Sequence, residues 1–246
     1  MSLRFLQRLP RLVAWLRVDT GAPSTLEPSS AGLEHRTLRA GMALAVALVA
    51  VQSIAHLIDV LAFDLQIYMI NADSDTSVFT WASSVATFGT ALLLCLLAIV
   101  RPTRSWFLLA LAGAVAFMSL DDMLALHERV ANLGNALVPI KQFTATFWPL
   151  VFMPLLATTF VGLLGVAAGL RDGPARALLT GLALLVVAIA LEMALPILFA
   201  LGSDYGELTY ELEVVLEEGA ELAGWILIST GLAAALLTSA SRTSRR

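Results

Sequence analysis

Six uninterrupted apolar blocks, each about as long as the ~20 residues a membrane-crossing helix needs, constrain this chain more than any other feature. They run over roughly 38–61, 78–100, 105–127, 144–169, 177–201 and 209–238, with boundaries uncertain by a few residues. The linkers between them are short, such as Arg101-Pro102-Thr103-Arg104 and Arg171-Asp172-Gly173-Pro174. They leave no room for a soluble domain. The expected fold is an all-α membrane protein, a bundle of six transmembrane helices.

Composition agrees. The chain is 59% apolar and 14% charged, too little charge to coat a soluble fold of 246 residues. Cys95 is the single cysteine and falls within a span, which excludes an intrachain disulfide and a thiolate metal cluster. Residues 1–18 read as a basic amphipathic helix on the membrane surface, with Arg4, Arg8 and Arg11 on one face. Residues 19–36 read as a flexible linker rich in Gly, Pro and Ser. The expected organisation is a cytoplasmic helix and linker over 1–37, the membrane domain over 38–238 and a basic tail over 239–246.

Charge orients the bundle. With the N-terminus placed in the cytoplasm, thirteen of the fifteen Lys and Arg residues fall on the cytoplasmic side, leaving Arg129 and Lys141 outside. A bias this lopsided predicts both termini in the cytoplasm of a bacterial inner-membrane protein.

The ionisable residues inside the spans gather at one depth. His56 lies seventeen residues beyond Arg39, Asp121 sixteen beyond Ser105, Glu192 fifteen beyond Ala177, and Glu221 seventeen from Thr238. At 1.5 Å per residue all four stand about 22–26 Å from the cytoplasmic ends of their helices, within a hydrocarbon core of ~30 Å. Charged groups at such depth face the bundle interior or a water-filled cavity.

Helical spacing groups them further. Gln52, His56 and Asp59 form one stripe on the first span. In the third, Asp121 and Glu128 nearly eclipse, with His127 at the edge of the arc and Asp122 pointing away. In the sixth, Glu217, Glu218 and Glu221 share an arc near Tyr210. Spans two and four carry no ionisable side chain and read as scaffold or lipid-facing walls.

Carboxylate oxygen combined with imidazole nitrogen suits Zn, Fe or Mn, so a divalent metal ion is the expected cofactor. The candidate metal ligands are His127, Glu128, Asp121, Glu218, Glu221, His56 and Asp59; the candidate catalytic carboxylates are Glu217 and Glu192. Crowded carboxylates in a low dielectric must bind cations, pair with a base or hold protons. Plainer readings compete. Glu211 and Glu213 suit solvated acids at a helix start. Asp64, Asp73, Asp75, Asp204 and Glu207 suit loop acids in water. His56 with Asp59 suits a structural hydrogen-bonded pair as well as a ligand pair or proton shuttle.

The Ser119-Leu-Asp-Asp…His127-Glu128 segment, Leu208-Thr-Tyr210 and Glu217-Glu218-Gly-Ala-Glu221-Leu-Ala-Gly224 carry a family likeness. They resemble uncharacterised bacterial multipass proteins with an Asp-acid-x5-His-Glu element and a later Glu-Glu-x2-Glu-x2-Gly element. The likeness covers roughly residues 115–228 and implies a shared fold without a substrate. Retinal proteins need a lysine deep in a helix, whereas Lys141 sits in a loop. Ceramidase-like membrane hydrolases rely on three histidines, whereas only His56 and His127 lie in spans here. No Walker A loop, nucleophile elbow or His-Glu-x2-His helix occurs.

Three functions remain open. One is a metal-dependent enzyme acting on a lipid or lipid-linked substrate from the extracytoplasmic side. The second is a cation- or proton-coupled transporter, and the third a non-catalytic membrane subunit or sensor. The expected partners are membrane lipid and either further copies of the chain or a membrane complex, with no nucleic acid.

Overall fold

A computed structural model describes residues 28–101, 105–127, 129–130, 147–200 and 206–243. Six helices account for nearly all of them: α1 (Pro28–Phe63), α2 (Val78–Val100), α3 (Ser105–Leu124), α4 (Phe147–Ala167), α5 (Asp172–Ala200) and α6 (Glu207–Thr243). No strand occurs among the described residues. Five of the six, all but α4, are long and apolar enough to cross a membrane. The amphipathic helix expected over 1–18 lies outside the described residues.

The surface is that of a protein dissolved in lipid. On α2, Trp81, Val85, Phe88, Leu92, Leu96 and Ile99 recur every three or four residues and are all exposed. Val51, Ile54, Ile58 and Leu61 do the same on α1. A soluble fold would turn these stripes inward. The buried face of α2 instead mixes Leu94 and Leu97 with Ser83, Ser84, Thr87 and Thr90. Its N-terminus is capped by Ser77, whose hydroxyl accepts from Thr80 N–H.

Lipid tails are as apolar as leucine, so close packing and hydrogen bonds must join the helices. The central helix is α6, which packs against α5, α1 and α2. Against α5 the approach is so close that a Cβ added at Gly181 would lie 2.5 Å from Gly224 O, and one added at Gly224 3.0 Å from Gly181 O. Against α2, Thr90 Oγ1 and Ser229 Oγ share a hydrogen bond of 2.8 Å. Between α2 and α3, Ser119 Oγ donates to the Ser84 carbonyl at 2.8 Å. The main apolar core joins Leu94 and Leu97 to Leu108, Leu111 and Val115 of α3, Leu163 and Val166 of α4, Leu178 and Leu182 of α5, and Ile228 and Leu232 of α6.

These contacts fix the chain direction. His56 meets Glu211 and Gly41 abuts Thr230, so α1 and α6 are antiparallel. Ser83 meets Glu221 and Arg101 meets Ser239, so α2 and α6 are parallel. Arg101 and the α1 and α5 N-termini therefore share one end of the bundle, where Arg171 Nε lies 3.9 Å from Glu34 Oε2. The acidic groups of α6 occupy the other.

Two boundaries differ from expectation. The linker expected over 19–36 ends earlier, because α1 begins at Pro28, a residue suited to a first helical turn, and meets no breaker before the apolar block. The third span is interrupted at Ala125, whose φ is +46°, before helical backbone resumes at Leu126. There Asp121 Oδ1 accepts the His127 N–H at 2.9 Å, a local side-chain bond that competes with the helix ladder. The continuous helix that would eclipse Asp121 and Glu128 does not form, and Glu128 lies outside the described residues.

Gly181→Ala is expected to lower the thermal midpoint of detergent-purified protein, by a destabilisation of about 1–3 kcal/mol from overpacking. Gly113→Ala, where nothing lies within 4 Å of the added Cβ, is expected to leave it unchanged. Equal midpoints for the two variants would refute close α5–α6 packing.

Candidate functional site

The helices converge at their acidic end on a cavity of about 390 Å³. Three elements bring carboxylates to its wall from the expected set: Asp121 from α3, Glu192 from α5, and Glu217, Glu218 and Glu221 from α6. His127, in the helical stretch that follows the break at Ala125, also lines it. The expected catalytic pair and four of the expected metal ligands thus border one space.

Four further carboxylates line it that sequence reasoning set aside. Asp73 and Asp75 come from the α1–α2 connection, Glu213 from the first turns of α6, and Asp122 from α3. Asp122 was expected to point away, yet Asp121 and Asp122 both reach the wall because the cavity wraps around this end of α3. Its Oδ2 atom is shut off from solvent and has no hydrogen-bond partner among the described residues. Among the described residues, nine carboxylates therefore line the space and no lysine or arginine does.

The scaffold spans take part. From α2, Ser83 Oγ donates to Glu221 Oε1 at 3.0 Å. From α4 come the apolar lining residues Phe152, Leu155, Leu156 and Phe160, and Met118, Ile189 and Trp225 add apolar surface from the acid-bearing helices. His127 Nδ1 lies 3.2 Å from Asp121 Oδ2, so both oxygens of that carboxylate are engaged by one residue.

The α1 stripe does something else. Gln52, His56 and Asp59 are fully buried, but none of them lines the cavity. Ala72 N–H donates to His56 Nδ1 at 3.0 Å, so that nitrogen carries no proton. The ring proton is therefore on Nε2, which donates to Glu211 Oε2 at 2.9 Å. Asp59 Oδ1 accepts the Ile67 N–H at 3.0 Å. His56 and Asp59 thus act on the α1–α2 connection. Glu211, read as a solvated acid, is buried and is the far end of the clamp.

That clamp positions the cavity mouth. Ala72 is held by His56, and its neighbour Asp73 accepts the Tyr210 hydroxyl proton at 3.2 Å. Asp73 is exposed by area yet ringed by protein atoms. The partial loss of water holds its carboxyl above the usual carboxylate range, opposed by the Tyr210 hydrogen bond and reinforced by the Glu211 charge.

A family model described as a domain of unknown function (DUF8692) matches residues 37–236, from α1 to the last turns of α6. The chain belongs to that family. The family match covers the whole cavity wall, so the acidic cavity is a feature of its DUF8692 domain. No curated protein and no solved structure matches the chain significantly. Among the described residues, no three His, Cys, Asp or Glu side chains stand in an arrangement that could hold a metal ion.

Two outcomes test this geometry. His56→Ala leaves Ala72 N–H and the buried Glu211 carboxylate without their partner, at a cost of about 1–3 kcal/mol. It should lower the thermal midpoint and speed proteolysis within residues 64–77; unchanged cleavage would argue against the clamp. For Asp73 the sign follows from its raised value. The folded state holds the proton more tightly than the unfolded chain with its 3.8. The stability this gives is present below that value and lost as pH rises through the folded one. Asp73→Asn should accordingly be more thermostable than wild type at neutral pH, with the difference closing in acid. A difference constant with pH would contradict the assignment.

Proposed function

We propose that this protein is a multi-pass membrane protein that takes up a cation in the acidic cavity and carries it across the bilayer. The observation that carries the reading is the ring of nine carboxylates, with no lysine or arginine, among the described residues that line the cavity. Such a concentration of like charge, closed in by apolar side chains, is costly unless cations or protons enter with it. The arginine end suits the cytoplasm by the positive-inside rule, which supports a cavity mouth on the extracytoplasmic side of a bacterial inner membrane.

A path for the cation would begin beneath the cavity. There Ser83 meets Glu221 and Thr90 meets Ser229, before the α2–α6 seam enters the apolar core at Leu94, Leu97, Ile228 and Leu232. The α1 stripe and the surface helix expected over 1–18 are then structural parts of this machine.

One observation favours the runner-up, a metal-dependent enzyme acting on lipid. His127 stands in the cavity wall beside Asp121, the mixed nitrogen and oxygen donors that Zn, Fe or Mn prefer. Elemental mass spectrometry on wild type, His127→Ala and Glu218→Ala tests it. Near-stoichiometric metal lost in both variants would favour the enzyme.

Flux in proteoliposomes tests transport. An imposed cation gradient should move protons or charge across vesicles holding wild type, read by a pH-sensitive dye and a potential-sensitive dye. Glu221→Gln should reduce the signal to that of empty vesicles. Wild-type vesicles indistinguishable from empty ones for alkali, divalent and organic cations would sink the reading.

A further inference from the structure

We propose that α4 is a lateral gate: hinged at Pro154, its outer half swings away from α3 and opens the cavity sideways into the bilayer. A molecule dissolved in the membrane leaflet at the acidic end then enters without first passing through water. This route is independent of whether the occupant is afterwards carried across.

The first argument is which wall can move. The helices α3, α5 and α6 and the α1–α2 connection each bring carboxylates to the cavity, and α2 brings Thr80 and Ser83. Turning any of these outward would carry polar groups into hydrocarbon, where they are costly. Among the described lining residues α4 brings only apolar ones, Phe152, Leu155, Leu156 and Phe160. Its first turns, Phe147 to Met153, contain no charged residue. Val151 and Met153 are exposed and do not line the cavity, so lipid already meets the outer side of this segment.

The second argument is how α4 is held. Its inner half is fixed, with Leu163, Val166 and Ala167 buried in the main core. A Cβ added at Gly162 would lie 2.8 Å from Leu111 Cδ1 of α3. Beside the cavity the support is thinner. Among the described residues α4 packs on α3 and α5, and the cavity takes the place of close packing on the central helix α6.

Between the two halves stands Pro154. Proline has no N–H for the carbonyl one turn earlier, and its ring crowds that carbonyl, so the helix is weakest there. One turn on, Thr158 Oγ1 donates to the Pro154 carbonyl at 2.6 Å, a kind of bond that bends helices. Hinge motion needs only a few residues to absorb the change in backbone angles.

The latch is a pair of rings. Phe152 of α4 and Phe117 of α3 stack with centroids 6.2 Å apart and planes at 22°. Phe152 lines the cavity, whereas Phe117 does not and is 39% exposed. One ring pair on the α3–α4 seam therefore reaches from the cavity to the outer surface of the bundle. An aromatic pair is weak enough to break and remake thermally.

Thiol labelling of the full chain in liposomes tests the gate. In a Cys95→Ser background, Ala188→Cys puts one thiol in the cavity wall. One reagent is a maleimide on a dodecyl chain, confined to the bilayer, and the other a quaternary-ammonium maleimide, confined to water. The lipid-phase reagent should label this thiol. Pro154→Ala, which restores the helix at the hinge, should slow that reaction at least roughly fivefold. Phe117→Ala, outside the cavity wall, should speed it roughly threefold or more, the size of a lost aromatic pair. Neither substitution should change the rate of the aqueous reagent, which enters by the mouth. Met118→Cys, also in the wall, replaces Ala188→Cys if size-exclusion profiles show that variant misfolded.

Failure of the lipid-phase reagent to label either thiol would overturn the gate. Equal changes for both reagents would put the motion at the mouth and overturn it too. Rates indifferent to both substitutions would make α4 a fixed wall. None of these outcomes depends on cation flux, so the gate and the transport reading fail separately.

Discussion

A carboxylate taken out of water is stable only beside something positive or something that donates protons, and the architecture of this bundle follows from that constraint. The chain places its acids well inside helices whose outer faces are made for lipid. Left apart, each would face hydrocarbon at a cost of several kcal/mol. Brought together on the inner faces of α3, α5 and α6, they share one polar space with the α1–α2 connection. The central helix α6 carries the largest share of them, and it is also the helix that most of its neighbours pack against.

The same helix ties fold to site through a single histidine. His56 spends one ring nitrogen on the backbone of the α1–α2 connection and the other on Glu211 of α6. The connection is thereby drawn over the end of the bundle, and Asp73 reaches Tyr210 at the cavity mouth. Small residues do the corresponding work lower down, where Gly181 and Gly224 let the α5 and α6 backbones nearly touch. Without that approach Glu192 and the α6 acids would stand further apart.

Much of this was legible in the sequence, and the rest was hidden for identifiable reasons. Long apolar blocks and helical periodicity suffice to find the spans and to put Glu217, Glu218 and Glu221 on one face. The four-helix agreement in depth brought Asp121 and Glu192 to the same level. What periodicity cannot supply is the path of a connection between helices. Asp73 and Asp75 looked like loop acids because their approach to the cavity depends on His56, and Glu211 looked solvated because its partner lies 155 positions away. The bend at Ala125 was invisible for a similar reason, since the Asp121 side chain that bonds the His127 backbone there has an alternative in every helix-shaped reading. Ser83 was missed because hydroxyls in an apolar span carry no charge to count.

The central claim is an electronegative cavity open to one side of the membrane, and charge-selective thiol labelling tests it most directly. In a Cys95→Ser background, Ala188→Cys places one thiol in the cavity wall. A cationic methanethiosulfonate added from the extracytoplasmic side should react roughly tenfold or more faster than an anionic one of similar size, because clefts of one sign concentrate the opposite charge. The advantage should shrink in high salt. Equal rates for the two reagents, or faster reaction from the cytoplasmic side, would contradict the account.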